Sequence, residues 1–390
     1  MAEHAILSAS GAHRWLRCTP SAKLEQNFPS STSSYAEEGT VAHALAELTT
    51  RYYLGEISEV TFENTIASEF KGSKYFNQEM REHAAAYAKF VLERLAAAKE
   101  VCPDPTVILE TRLDFSKYVP GGFGTGDCVI VAEPVMDVID FKYGKGHRVE
   151  AAGNPQMQLY GLGALEAYGD IYDIKTVRMS IFQPRLTGEQ DTAEMTVKAL
   201  KSWGRTYVKP RAKLAIKGEG EFAPSEEACR FCRAKQQCRA RTEVNLKLFD
   251  DAPAEILPEL ISVEEAGAIL AKAGDIEAWL KDLKEFVTAA LTKGESVTGW
   301  KLVAGRSNRK FADEAKVVAA MKAAGYDEAM LYDRKLITLT QMERDFGKKA
   351  LAEVLGDLIV KPQGAPALAP ESDKRPVYRF EDEVLKAFDE

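Results

Sequence analysis

Asp127-Cys128-Val129-Ile130-Val131-Ala132-Glu133-Pro134-Val135-Met136-Asp137-Val138-Ile139-Asp140-Phe141-Lys142-Tyr143-Gly144 is the stretch on which the fold turns. Its two apolar runs are separated by Glu133-Pro134, a dipeptide suited to a turn. The pattern predicts a hairpin in which Asp127 to Ala132 pairs with Val135 to Phe141. Residues two apart on a strand share a face, so Asp140 and Lys142 point one way while Ile139 and Phe141 point into the core. The same pairing sets Asp127 beside Asp140 near one end of the hairpin. Just upstream, Gly121-Gly122-Phe123-Gly124-Thr125-Gly126 is rich enough in glycine to be a turn. Two carboxylates and a lysine gathered at one point are the parts that hydrolysis of a phosphodiester needs. The carboxylates are hard ligands for Mg²⁺ or Mn²⁺, and the cation orients water or steadies developing charge. An Asp-x-Lys triplet by itself occurs by chance in most chains of this length, so its meaning depends on its surroundings.

Working outward, apolar spacing predicts helices from Glu37 to Tyr53 and from Asn77 to Glu100. Strands are expected from Thr106 to Leu113 and in the hairpin. A helix from Asn154 to Tyr168 and a strand from Thr176 to Gln183, ended by Pro184, follow. His43 falls on the first helix with Glu47 one turn later, so both can face one site. Gln156 and Tyr160 are likewise one turn apart, at the start of the helix after the hairpin. Glu110, on the first strand, is expected in a supporting rather than a metal-binding role.

Three of the six cysteines are packed into Cys229-Arg230-Phe231-Cys232-Arg233-Ala234-Lys235-Gln236-Gln237-Cys238, while Cys18 stands far upstream in Trp15-Leu16-Arg17-Cys18. Four thiolates suit either a zinc ion or a [4Fe–4S] cluster. A disulfide framework does not suit a chain this long with no signal peptide at Met1-Ala2-Glu3-His4. Cys102 and Cys128 read as ordinary buried thiols.

In order, His43, Gly124-x-x-Asp127, Asp140-x-Lys142-x-Gly144 and Gln156-x-x-x-Tyr160 resemble the RecB-like branch of the PD-(D/E)XK nuclease superfamily. The proline that this superfamily carries before its first acid is absent. The resemblance implies an α/β, restriction-endonuclease-like αβββαβ core with helical additions and a smaller α+β C-terminal domain. It implies His43, Asp127 and Asp140 as ligands of Mg²⁺ or Mn²⁺ and Lys142 as the lysine that activates the attacking water. Gln156 and Tyr160 would support the site and contact DNA. It makes Ser8-x-Ser10-x-x-x-x-Trp15-Leu16-x-Cys18 the opening signature, and Cys18, Cys229, Cys232 and Cys238 resemble a [4Fe–4S] staple, with zinc as the alternative occupant. The implied activity is metal-dependent DNA cleavage, as an exonuclease of phage or prophage origin serving recombination or DNA processing. DNA is the implied partner, with a recombination or single-strand-binding protein beside it. Two other readings stay open: a DNA-binding or scaffold protein that keeps the nuclease fold and acts through a partner, and a zinc-stabilised interaction protein.

The 390 residues are 45% hydrophobic and carry a formal net charge of −8, with no apolar run long enough to span a bilayer. A soluble, cytoplasmic chain of more than one domain is expected. An acidic total is compatible with a nucleic-acid partner when the basic residues are clustered. Lys198, Lys201, Arg205, Lys209, Arg211, Lys213 and Lys217 follow one another with no acid among them, and Arg230, Arg233, Lys235, Arg239 and Arg241 surround the cysteines. With Trp203, Tyr207 and Phe231 interleaved, these stretches suit a surface that tracks phosphates and stacks bases. A solvated helix face is the alternative for the first of them.

The expected domains are 1–250, a nuclease domain closed by the cysteines, and 251–361, a mostly helical accessory domain, followed by a flexible acidic tail, 362–390. Within the second, Ser262 to Lys293 reads as a long amphipathic helix and Gly299 to Lys310 as a small hairpin. Asp313 to Ala324 and Thr340 to Leu355 read as shorter helices.

Overall fold

The computed structural model describes residues 5–29, 34–146, 148–186, 190–250, 263–302 and 338–355, with isolated positions among 316–322 and at 358–359. Helices α1 (Ala12–Trp15) and α2 (Ser21–Leu24) lead to α3 (Ser34–Tyr53), α4 (Glu59–Thr65) and α5 (Gln78–Lys99). Strands β1 (Thr106–Asp114), β2 (Phe123–Ala132) and β3 (Val135–Phe141) follow, then α6 (Pro155–Tyr168), β4 (Thr176–Phe182) and β5 (Gln190–Thr196). Beyond the sheet come α7 (Val197–Trp203), α8 (Lys209–Lys217), α9 (Glu226–Arg230), α10 (Arg239–Asp250), α11 (Val263–Thr292), α12 (Leu339–Phe346) and α13 (Lys348–Leu355).

The strands form one sheet in the order β1-β2-β3-β4-β5. Neighbours are antiparallel except β3 and β4, which run parallel. A parallel pair needs a long crossover, and α6 supplies it. From α5 to β4 the order is αβββαβ, the expected order of a mixed α/β core.

Both faces of the sheet are covered. Leu45, Met80, Tyr87 and Val91 from α3 and α5 pack on Cys128, Ile130, Ile139 and Phe141. Met157 and Leu162 of α6, with Leu200 of α7, pack on Val129, Val138, Val177 and Met179. Burial on both sides explains why β3 reads as a near-continuous apolar run rather than an alternating one. The exception inside it, Asp137, is paired: Arg94 of α5 lies 2.7 Å away and Ser180 of β4 donates to it at 3.0 Å. Burial pushes the Asp137 carboxyl above its usual range while Arg94 opposes that shift.

Two expectations are corrected. The glycine-rich segment is not a turn from 121 to 126, because β2 already begins at Phe123. Gly124 and Gly126 are in the strand, where an added Cβ would stand 2.7 Å from the ring of Tyr160 and 2.7 Å from Leu113. Their small size admits those side chains onto the strand. The second correction is β5, which had no expected counterpart. Its sequence, Gln190 to Thr196, is polar, and its residues alternate between exposed and half-buried at the sheet's edge.

Beyond residue 262, α11 docks on the cysteine segment. Arg241 is ion-paired with Asp282, Lys235 lies 3.1 Å from Asp282, and Gln236 donates to Glu285 at 3.2 Å. The helix expected from Thr340 to Leu355 is divided by Gly347, whose φ of 86° suits glycine and ends α12. Most of the expected hairpin from Gly299 to Lys310, most of the helix from Asp313 to Ala324, and the whole 362–390 tail lie outside the described residues.

Close packing of α6 on β1 gives a direct test. A Cβ at Gly163 would meet Leu113 Cβ at 2.9 Å and the Leu113 carbonyl carbon at 3.1 Å, whereas at Gly39 in α3 it would meet nothing within 4 Å. Gly163→Ala is expected to destabilise the protein by about 1–3 kcal/mol through overpacking. Gly39→Ala should instead stabilise it by about 0.5–1 kcal/mol. Denaturant unfolding of both variants measures the difference.

Candidate metal centre and cysteine cluster

The strand registers assemble the site. Leu109 pairs with Cys128 and Thr111 with Gly126, so Glu110 stands opposite Asp127. Cys128 pairs with Ile139, which makes Asp127 and Asp140 the next opposite positions. Three carboxylates therefore occupy neighbouring places on β1, β2 and β3. The apolar alternation shifts by one here. Leu109 belongs to the core under α3 and α5, yet Leu113 belongs to the core under α6. Between them Glu110 has a φ of 46°, left-handed backbone that is unusual for a residue with a side chain. Such a conformation costs on the order of 1–3 kcal/mol and collects at functional sites.

His43 reaches the carboxylates from α3. Its Nδ1 lies 3.1 Å from Asp127 Oδ1, and its ring meets Phe141 edge-on at 5.4 Å. The other Asp127 oxygen accepts the Phe141 backbone N–H at 2.6 Å. His43, Glu110 and Asp127 each offer a ligand atom, all within 4.8 Å of one another. Glu110 thus stands among the candidate ligands, closer in than its expected supporting role. The available signal was its place opposite Asp127, which requires the register. Glu47, one turn after His43, accepts from Arg51 at 2.8 Å.

Asp140 and Lys142 form the adjoining half. The α6 N-cap, Asn154, accepts from the backbone N–H groups of Gln156 and Met157, with Pro155 in the first turn. That cap holds Gln156 over the end of β3. Gln156 Nε2 donates to Asp140 Oδ1 at 3.1 Å while its Oε1 accepts from Lys142 Nζ at 3.0 Å. Lys142 Nζ is also 3.0 Å from Asp140 Oδ2. Oδ2 is buried, and this ammonium is its ion-pair partner. Tyr160, one turn beyond Gln156, is buried with its ring against Gly124. The structure thus brings all six expected residues, His43, Asp127, Asp140, Lys142, Gln156 and Tyr160, to one end of the sheet.

The charges are strained by their own proximity. Burial, then the charges of Asp127 and Glu47, push the Glu110 carboxyl up to about 7. Burial raises Asp140 too; Lys142 opposes the shift and Asp127 adds to it. Burial works against charge on His43, but the Asp127 carboxylate outweighs it and lifts the ring to about 9. A cluster of hard carboxylate oxygens with one imidazole fits a divalent cation of the Mg²⁺ or Mn²⁺ kind.

The four cysteines meet far from one another in sequence. Cys18, Cys229, Cys232 and Cys238 line a single cavity together with Arg14, Ser21, Phe222 and Lys235. Contacts across some 200 residues close it: Glu25, which pairs with Arg14 at 2.7 Å, also accepts the Arg233 backbone N–H at 2.7 Å. Thr19 donates to the Glu219 carbonyl at 2.7 Å. Burial pushes the Cys232 thiol up to about 12 and raises Cys18 and Cys229. Cys128 is buried and Cys102 half-buried.

The family model described as "Protein of unknown function (DUF2800)" matches residues 4–376. The chain belongs to this family. Among solved structures, it is similar to a protein from Eubacterium rectale provisionally described as an exonuclease. That match has 12% identity and a TM-score of 0.31, over 67% of this chain and 92% of that one. It is also similar to an alkaline exonuclease from Laribacter hongkongensis, with 14% identity and a TM-score of 0.23, over 53% of this chain and 92% of that one. No helix among the described residues is long and apolar enough to cross a membrane.

The shifted groups set a pH dependence. The His43–Asp127 pair stabilises the metal-free fold fully below the ordinary histidine range, and that contribution is lost as pH rises through about 9. A cation that takes the ring nitrogen must displace this proton, and below about 7 it must displace one from Glu110 as well. Mn²⁺ affinity is therefore expected to rise steadily between about pH 6 and 9, with proton release. Calorimetry in buffers of different ionisation enthalpy measures it; a pH-independent affinity would exclude both groups as ligands.

Proposed function

We propose that this chain is a metal-dependent DNA nuclease of the RecB-like PD-(D/E)XK type, an exonuclease of phage or prophage origin serving recombination or DNA processing. One observation carries the reading. Gln156 holds Asp140 and Lys142 together at the sheet end where Asp127, Glu110 and His43 converge. His43, Glu110, Asp127 and Asp140 would hold Mg²⁺ or Mn²⁺. When bound, such an ion polarises a phosphoryl oxygen and lowers the pKa of a water. Lys142, fixed by Asp140 and Gln156, orients the attacking water and steadies negative charge on the phosphate. Oxygen–phosphorus bond formation then proceeds in line with departure of the opposite ester oxygen.

Two further features support DNA and an iron–sulfur group. The ring of Trp203 at the end of α7 stacks at 6.3 Å on that of Tyr207, in the π-helical turn Gly204–Val208 that joins α7 to α8, and the Arg211 guanidinium of α8 lies 3.9 Å from the Tyr207 ring centre. Lys198, Arg205, Lys209 and Lys213 are exposed on the same two helices and the turn between them. Such a basic, aromatic surface suits a phosphate backbone. At the cysteines, a zinc ion with bonds of about 2.3 Å would draw the sulfurs to within about 3.8 Å of one another. A [4Fe–4S] cluster takes the same four thiolates, and the split spacing of Cys18 from Cys229, Cys232 and Cys238, which line one cavity, favours it over zinc.

Cleavage of end-labelled, circular, single-stranded and double-stranded DNA with Mg²⁺ or Mn²⁺ tests the activity. Asp140→Ala or Lys142→Ala should lower the rate by about 10²–10⁴-fold with the circular dichroism spectrum unchanged; full activity in either folded variant would end the nuclease reading. Circular DNA should resist. Anaerobically purified protein is expected to be brown, with about four irons per chain bound through thiolates; zinc alone would reject the cluster.

A further inference from the structure

We infer that Arg14 donates a hydrogen bond, through its buried Nε–H, to a sulfur of the group held by Cys18, Cys229, Cys232 and Cys238. The inference rests on the iron–sulfur reading of those cysteines. Arg14 is on α1, and its backbone carbonyl accepts the Cys18 N–H at 2.8 Å, so Arg14 and the first cysteine share one helical turn. Its side chain lines the cavity that all four cysteines line. The two ends of its guanidinium are already engaged: Nη2 lies 2.7 Å from Glu25 Oε2, and Nη1 donates to the Phe231 carbonyl at 3.5 Å. Phe231 sits inside the Cys229-x-x-Cys232 turn, so both contacts orient the guanidinium plane against the cysteine loop.

The remaining donor, Nε–H, is buried and has no partner among the protein atoms. A buried donor left without a partner is costly, and more so when it is charged. Sulfur of a bound cluster would remove that cost. Lys235, the other cation in the lining, is turned to Asp282 at 3.1 Å. Arg241 also has a buried, unpartnered Nε, but it is outside the cavity lining and its other nitrogens are bound to Asp282 and Asp275. Arg241 lies close enough to act on Cys229 through its charge, but Arg14 is the cation in the cavity lining with a free donor. Hydrogen bonds to sulfur and nearby positive charge favour the reduced, more negative cluster and raise its potential.

The test uses the full chain, purified anaerobically as wild type, Arg14→Lys, Arg14→Met and Glu25→Gln, with iron and sulfide analysis and a redox titration followed by electron paramagnetic resonance. Expected is normal iron content with a midpoint potential that falls in the order wild type, Arg14→Lys, Arg14→Met. For Arg14→Met the reduction constant should drop about tenfold, which for one electron is about 59 mV. Iron-loaded Arg14 variants with the wild-type potential would overturn the inference and leave the cluster reading intact. If both Arg14 variants fold but lose iron, Glu25→Gln decides, because it breaks the same ion pair while keeping Nε–H. Retained iron in Glu25→Gln supports the inference, and loss in all three reduces Arg14 to a clamp. Zinc in the wild-type protein would overturn the cluster reading and this inference with it.

Discussion

Repulsion among Glu110, Asp127 and Asp140 is the constraint on which the rest of the site depends. The strand registers force these carboxylates into neighbouring positions on three adjacent strands, where burial weakens the screening that water would provide. Each nearby group answers that repulsion. His43 takes a proton against the cost of its own burial, Lys142 sits beside Asp140, and the Gln156 amide offers a donor to one and an acceptor to the other. Glu110 answers in a different way, by holding its proton up to about 7. A divalent cation would relieve all of this at once, so the arrangement is a site whose strain is matched to a ligand of charge and oxygen preference.

A second closure operates at the other end of the chain's contacts. The first helical turns carry Cys18 and Arg14, and the segment some 200 residues later carries the remaining three cysteines; Glu25 ties the two by accepting from both Arg14 and Arg233. The same cysteine segment then receives α11 through the buried Arg241–Asp282 pair. Breaking one partner of such a pair costs far more than the pair itself contributes, because a charge is left buried. The cysteine segment is thus the joint between the N-terminal helices and the long helix α11.

Much of the core was legible because periodicity survives in it. The hairpin, α5, α6 and β4 appear within a few residues of their expected bounds, since long apolar runs and a Glu133-Pro134 break leave few alternatives. What failed to show were features whose meaning depends on a neighbour distant in sequence. Gly124 and Gly126 looked like turn glycines because their contacts are Tyr160 and Leu113. Edge strand β5 had no expected counterpart, because its residues are polar and only β4 pairs with it.

By itself the sequence determined the residue types of the site, the αβββαβ order and a set of four cysteines, since these are matters of local pattern and spacing. Tertiary structure alone decided that Glu110 joins His43 and Asp127, that Gln156 links Asp140 to Lys142, and that Arg14 is left with a buried donor beside the cysteines. The reason is physical: strand register, a helix cap and a left-handed φ determine where a side chain ends. No one-dimensional pattern carries the burial that turns such a group into a charge in need of a partner.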